Sequence, residues 1–245
     1  MKILYLTAIY RRPAISQLFF MSLKRFIEAS GYEYKIVCAT SDADISGFEN
    51  LKMGIEFVYY KNEPLSEKWT AALVSAMRKE WDYLFITGSD DFFSHELWQA
   101  YKPYFETGED YFGMDLILFY DLMTKRLTQF KYPFERLIGC GRMISRKCVE
   151  DCFPLWESGL NTGLDRNSEN KILLKNYQRK IIPAKYPLML DIKTKENIWK
   201  FNSYLAFNRP TTVTLDTFLT KQEQEFMNEI NEYGIRNVSN KQTVS

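Results

Sequence analysis

Two adjacent carboxylates at the end of a short apolar run are the chemically richest feature of this sequence. Tyr83-Leu84-Phe85-Ile86 is followed directly by Thr87-Gly88-Ser89-Asp90-Asp91-Phe92. An apolar tetrapeptide without alternation reads as a strand covered on both faces, as in a parallel sheet. Such sheets bind ligands beyond the carboxyl ends of their strands. Paired carboxylates there suit a hard divalent cation, Mn or Mg, which takes oxygen ligands and can share a diphosphate. The plainer reading is a helix start, where acidic residues favour the dipole and Ser94 caps the next helix.

Four other segments carry candidate chemistry. Asp42, in Thr40-Ser41-Asp42, is placed to accept from the N–H of a nucleotide base or to make a polar turn. Lys68 falls in the first turn of an expected helix, where the dipole disfavours a cation and a bound anion would relieve it. A solvated surface lysine is the plainer reading. Gly139-Cys140-Gly141-Arg142 allows close backbone approach to a ligand. It lacks the third glycine of a dinucleotide fingerprint, and the chain has no Gly-x-x-x-x-Gly-Lys-Ser/Thr loop. Asp165, after Asn161-Thr162-Gly163-Leu164, opens another helix and is by itself explained as a dipole partner.

The elements that must position these residues follow from periodicity. Lys2–Thr7, Tyr34–Ala39 and Ile55–Tyr60 read as strands. A helix starts at Pro13, presents Leu18, Phe19, Leu23, Phe26 and Ile27 on one face, and ends at Gly31. A second helix, capped by Ser66, runs to about Lys79. The succession β-α-β…β-α-β with short links predicts an α/β fold, a mostly parallel sheet with flanking helices. Further along, Tyr111–Tyr120 and Leu127–Tyr132 read as strands, the second antiparallel. Gly139–Ser145 holds a short strand, and helices start near Arg146 and run over Asp165–Tyr177 and Asp216–Tyr233. The stretch 193–208 is polar, aromatic and irregular, with a surface loop as its plainer reading and stacking on a sugar or base as the functional one.

Composition excludes several classes. Of 245 residues, 46% are hydrophobic, enough for a sizeable core, so disorder and low-complexity filaments are excluded. The net charge of +1 leaves no global basic field for nucleic acid or anionic lipid. The first apolar run is too short for a signal-peptide core, and no uncharged run approaches a bilayer span. The chain therefore reads as soluble and cytoplasmic. Four cysteines without a Cys-x-x-Cys pair, and the single His95, speak against zinc and against a disulfide framework.

Taken in order, these pieces resemble the GT-A fold nucleotide-sugar glycosyltransferases of the broad family-two type. Thr7-Ala8-Ile9-Tyr10-Arg11-Arg12-Pro13 looks like that family's first strand and base-binding loop. Lys68-Trp69-Thr70-Ala71-Ala72-Leu73 resembles its basic residue and helix before the metal strand, and Gly88-Ser89-Asp90-Asp91 falls on its acidic metal motif. Gly139 to Arg146 resembles its acceptor-side glycine strand, and Leu164-Asp165 falls where the family carries a catalytic carboxylate. The resemblance implies a catalytic domain over 1–205, with a nucleotide-binding half at 1–95 and an acceptor half at 96–205. A helical extension and tail would follow at 206–245. It implies Thr7, Tyr10, Arg11, Asp42, Lys68, Ser89 and Arg142 as donor-binding residues and Asp90 and Asp91 as ligands of a Mn or Mg ion. Asp165 would be the general base, with Glu169 one turn away as its fallback. The donor would be a nucleotide-diphosphate sugar, with UDP as the type in view. The acceptor stays open between a sugar, a glycolipid, a protein and a modified nucleic-acid base. The sequence departs from the family in carrying Gly88 at the first acidic position, and in offering only His95 where some members place a later histidine on the metal. Two rivals remain: a binding or scaffold protein that keeps the fold without the chemistry, and a nucleotidyltransferase, which Arg11-Arg12-Pro13 disfavours for want of glycine.

Overall fold

The computed structural model describes residues 1–42, 45–49, 51–194 and 211–233. Strands β1 (Lys2–Ile9), β2 (Glu33–Thr40), β3 (Ile55–Tyr59) and β4 (Tyr83–Ile86) alternate with helices α1 (Pro13–Ser30), α2 (Ser46–Glu49) and α3 (Leu65–Met77). A three-residue strand β5 (Asp91–Phe93) follows, then α4 (Glu96–Glu106), β6 (Tyr111–Gly113), β7 (Leu116–Asp121) and β8 (Arg126–Lys131). The order closes with β9 (Arg142–Ser145), α5 (Arg146–Asp151), α6 (Leu164–Leu174), β10 (Lys180–Ile181), β11 (Met189–Lys193) and α7 (Lys221–Tyr233).

These strands make two sheets. The larger has the order β10-β6-β9-β4-β1-β2-β3. Within it β4, β1, β2 and β3 run parallel, and β9 lies antiparallel between β4 and β6. The smaller sheet has the order β5-β11-β7-β8. This is the mostly parallel α/β architecture expected from the sequence, and the reason is visible in the strands. Residues Tyr83 to Ile86 are all buried, as a central strand covered by helices on both faces requires.

Two apolar clusters flank the large sheet. On one side α1 contributes Leu18, Phe19, Leu23, Phe26 and Ile27, the face that the 3.6-residue period predicts. Phe26 stacks on Trp98 at 4.5 Å between ring centroids, and Phe85, Phe93, Tyr101 and Phe112 extend the cluster. On the other side Ala72, Leu73, Cys148, Val149 and Ile172 bring α3, α5 and α6 against the sheet. The four cysteines are buried free thiols. Among the described residues no helix is long and apolar enough to cross a membrane.

Three sequence expectations are corrected. Tyr111–Tyr120 is not one strand: β6 joins the large sheet and β7 the small one, with the chain changing sheets between them. Ser66 lies inside α3, whose cap is Pro64; the Ser66 hydroxyl accepts from the Leu160 N–H instead. The last helix begins at Lys221, because Leu215–Thr217 forms a separate 3-10 turn around Asp216. The stretch 195–210, which holds most of the irregular segment and the 205/206 boundary, lies outside the described residues, as do 234–245.

Candidate active site

The parallel strands β1 and β4 end on the same side of the large sheet, and the small sheet continues from that point. Between them lies a cleft of about 530 Å³. Its walls include Tyr10 and Arg12 after β1, Ser89, Asp90 and Asp91 after β4, Asp165 at the start of α6, and Asp191 and Lys193 on β11. The alternative that made Asp90 and Asp91 a helix start is removed: they lead into the strand β5, and α4 begins five residues after Asp91. Ser94 nonetheless accepts from the Glu96 N–H at that helix start.

Gly88 has a geometric reason. A Cβ built on it would lie 2.8 Å from Asp90 Oδ1 and 2.9 Å from Asp91 Oδ2, closer than any real Cβ sits. The space of the missing side chain is filled by the two carboxylates that follow. Asp91 also accepts from the Gly88 N–H at 2.5 Å. Gly139 does the same for Asp165, whose carboxylate oxygens would stand 2.2 and 2.5 Å from a Cβ at that position. The Asp165 carboxylate therefore rests against the Gly139 backbone and faces the cleft.

Arg12 organises the carboxyl end of β4, a role that nothing in its local pattern marks. Its guanidinium donates to Asp90 Oδ2 at 2.8 Å and to the Ser89 hydroxyl at 3.1 Å. Across the cleft, Lys193 donates to Asp191 Oδ2 and lies 4.9 Å from the Phe119 ring centroid. Asp191 is the register partner of Asp91 on the antiparallel strand. Such partners hold their Cβ atoms about 4.5–5.5 Å apart on one face. The Ile192 N–H donates to the Asp90 carbonyl at 2.9 Å and fixes that register. Burial first, then mutual repulsion, pushes the Asp91 carboxyl well above the usual carboxylate range. Asp191 is also pushed up, with burial again the main cause and Lys193 opposing it. Neither residue could be paired from sequence, since the partners lie a hundred positions apart.

The remaining expected residues divide between cleft and scaffold. Lys68 lines the cleft but is 1% exposed, and its ammonium donates to the Ile9 carbonyl at 2.7 Å and to Asn62 Oδ1 at 3.1 Å. It is a buried tie between β1 and the turn before α3, not the solvated lysine of the plainer reading. Burial pulls its pKa down to about 8, against an opposing effect of Asp42. Tyr10 lies beside it, its ring centroid 5.4 Å from the Lys68 nitrogen. Asp42 accepts from the Arg11 N–H at 2.9 Å, so it orders the loop after β1, where Arg11 has φ 52°.

Asp42 does not line the cleft, and five further residues do not reach it. Thr7 is buried within β1, and the Arg11 side chain is exposed outside it. Arg142 is fully enclosed: its guanidinium donates to the carbonyls of Leu137, Ile138 and Asp165 and holds α6 against the loop 137–141. Glu169 pairs with Arg179 at 2.8 Å and is 2% exposed, which removes it as a fallback base. His95 contacts Arg25 and is likewise absent from the cleft.

The cleft suits a hard cation by its donor set. Asp90, Asp91 and Asp191 offer only carboxylate oxygens, and Asp191 Oδ1 is buried without a hydrogen-bond partner. Among the described residues no three such side chains converge as a preformed cage. Arg12 and Lys193 hold one oxygen each of Asp90 and Asp191.

Comparison with known proteins bears on the fold. No family model matches the chain, and no curated protein does. Among solved structures, S. aureus TarS 1-349 in complex with UDP-GlcNAc superposes with a TM-score of 0.58 at 13% identity, over 80% of this chain and 60% of that one. A second structure of S. aureus TarS 1-349 gives 0.56 at 11% identity, over 78% and 60%. The longer TarS gives 0.56 at 12%, over 80% and 37%. This chain thus spans about 60% of TarS 1-349. The likeness establishes a GT-A-type α/β fold, as the order of the motifs implied.

Proposed function

We propose that this protein is a glycosyltransferase that moves a sugar from a nucleotide diphosphate to an acceptor hydroxyl. The observation that carries the reading is the placing of Asp165 in the same cleft as Ser89, Asp90 and Asp91, beyond the carboxyl ends of β1 and β4. The shared fold with a protein crystallised with UDP-GlcNAc supports a nucleotide-sugar donor.

In this reading the acceptor oxygen attacks the anomeric carbon, and the bond from that carbon to the diphosphate breaks with its electron pair leaving on the diphosphate. The acceptor proton passes to the Asp165 carboxylate, which Gly139 behind it keeps at a fixed depth. A Mn or Mg ion held by Asp90 and Asp91 would neutralise charge on the departing diphosphate. Tyr10 and Asp42 form the base side of the donor site, Asp42 by ordering the Arg11 backbone. Lys68 keeps the end of β1 and Asn62 in register and adds a buried positive charge to that wall.

The test separates chemistry from binding. Asp165→Asn should abolish transfer, read as nucleotide diphosphate released from a panel of nucleotide sugars. It should leave the nucleotide-induced rise in melting temperature intact. Transfer retained in that variant removes Asp165 from the role. A folded wild type whose melting temperature responds to no UDP, GDP, CDP or ADP, with Mn or with EDTA, removes the donor reading and favours a scaffold.

A further inference from the structure

We propose that the side pocket between α3 and the loop 152–163 is the acceptor site, and that it takes a neutral pyranose ring seated on Trp69. Its use as an acceptor site rests on the glycosyltransferase reading above; its affinity for the ring does not.

Position comes first. The pocket holds about 170 Å³, the space of about six waters, so it suits one ring rather than a chain of them. It opens onto the cleft along Trp69, Asn161, Thr162 and Asp165, which line both. A ring seated there shares its wall with the same Asp165 carboxylate as the donor cleft. Rigidity comes second, because the loop is laced to the start of α3. The Leu65 N–H donates to Asn161 Oδ1 at 2.9 Å, and the Ser66 N–H to the Leu160 carbonyl at 2.8 Å. In return the Leu160 N–H donates to the Ser66 hydroxyl at 3.0 Å, and the Ser158 hydroxyl to Glu67 at 2.9 Å. A wall tied in this way is formed before a ligand arrives, which lowers the ordering cost of binding.

The lining chemistry selects the ligand. A pyranose has an apolar face of C–H groups and a rim of hydroxyls. Trp69 is partly buried and packs on the buried Trp156 with ring centroids 5.8 Å apart, so one indole braces the other. The core indoles of Trp81 and Trp98 donate to the carbonyls of Ala76 and Phe26, each at 2.9 Å. The indole N–H groups of Trp69 and Trp156 have no acceptor among the described residues. Asn161, its Oδ1 taken by Leu65, keeps its amide N–H groups for a ring hydroxyl, and Thr162 adds a hydroxyl of its own. Among the described residues no cationic side chain lines the pocket, and Asp165 gives it a negative charge. A phosphate-bearing acceptor, nucleic acid included, meets repulsion there, and a neutral sugar does not. The hydroxyl at Asp165 would give that carboxylate its proton as its oxygen bonds to the anomeric carbon and the diphosphate leaves with the bonding pair.

The experiment is saturation-transfer-difference NMR on the full chain with the methyl glycosides of glucose, galactose and N-acetylglucosamine, each alone and with UDP and Mn²⁺. Irradiating the aromatic protons of wild type should transfer saturation to the C–H protons on one ring face of at least one glycoside. Trp69→Ala should weaken that binding at least about tenfold, and Trp69→Phe should fall between the two, since a smaller ring still stacks. Glycerol phosphate, the anionic control, should give no transfer. In turnover, the glycoside that binds should speed release of nucleotide diphosphate, and Trp69→Ala should raise its KM while the donor KM stays within about twofold. No glycoside signal in wild type under either condition overturns the proposal, as does Trp69→Ala binding like wild type or glycerol phosphate binding better than the glycosides. Melting temperatures guard against loss of fold; if Trp69→Ala does not fold, wild-type affinity in Trp69→Phe overturns it instead. Glycoside binding with no nucleotide-induced thermal shift keeps the sugar pocket and ends the donor reading. A nucleotide shift with no glycoside signal does the reverse.

Discussion

At the scale of single residues, the cleft is held by contacts with no slack. A methyl group at 139 has nowhere to go, because the Asp165 carboxylate fills its place. Gly139→Ala should therefore displace Asp165 and cut transfer at least about tenfold while nucleotide binding stays within twofold, the split expected when geometry rather than binding is lost. Steady-state kinetics beside a nucleotide titration reads both. Lys68 makes a prediction about stability. Its pKa is pulled down to about 8 in the folded protein, below the ordinary value of 10.5. Between those values the unfolded chain binds more protons than the folded one, so stability rises with pH there. The unfolding free energy of wild type relative to Lys68→Met should grow from pH 8 to pH 10, measured by urea denaturation. No growth would mean the amine keeps its proton in the fold. The places of Asp90, Asp91 and Asp165 on the cleft were legible in sequence because each sits where a local signal ends, a strand or a helix start. Arg12 and Asp191 were not, because their significance depends on which distant carboxylate or strand they meet.

At the scale of elements, the same distinction holds. Helix α1 was legible to its ends, from Pro13 to the left-handed Gly31 cap, because its signals are local. The strand β5 was not. Three residues carry no period, and they form a strand only because β11 returns beside them. The run 111–120 hid its change of sheet for a related reason: both halves are buried and rich in apolar residues, and only Gly113 and Asp115 interrupt the pattern at the break. Helix α7 docks on α1 through one arginine. Arg25 donates to the Phe218 carbonyl at 2.6 Å and to both Glu223 oxygens, at 3.3 and 2.9 Å. Glu223 is 4% exposed, so losing this fork leaves a buried carboxylate without its counter-ion and with only the Thr220 N–H donating to it. Arg25→Ala should cost about 2 kcal/mol. Arg25→Lys should recover only part of it, since an ammonium cannot grip both oxygens. A shifted urea midpoint at unchanged slope would establish the loss. Full stability in Arg25→Ala would show that the apolar contacts of Phe218, Leu219, Met227 and Ile230 suffice.

At the scale of the molecule, the cleft lies where two sheets meet, so a ligand in it touches both. Its binding should stabilise one cooperative unit. A nucleotide diphosphate at a hundredfold excess over its Kd should add about 2.7 kcal/mol. That corresponds to a rise of several degrees in a single calorimetric transition for a chain of this length. Two separated transitions, with only one of them shifted, would show that the sheets melt apart. The parallel half of the large sheet was legible in sequence, because β-α-β units repeat a simple period with short links. The smaller sheet was not, because its strands come from segments far apart in the chain, from Asp91–Phe93 to Met189–Lys193. Their arrangement also limits what can be moved between proteins. Residues 1–95 read in sequence as a nucleotide-binding half, yet β4 takes one neighbour from β9, and among the described residues β5 pairs only with β11. Cut free, that half would show two raw sheet edges next to its acidic motif. A recombination event that borrowed it would have to bring Arg142–Ser145 and Met189–Lys193 along, or inherit a shape without its charge balance.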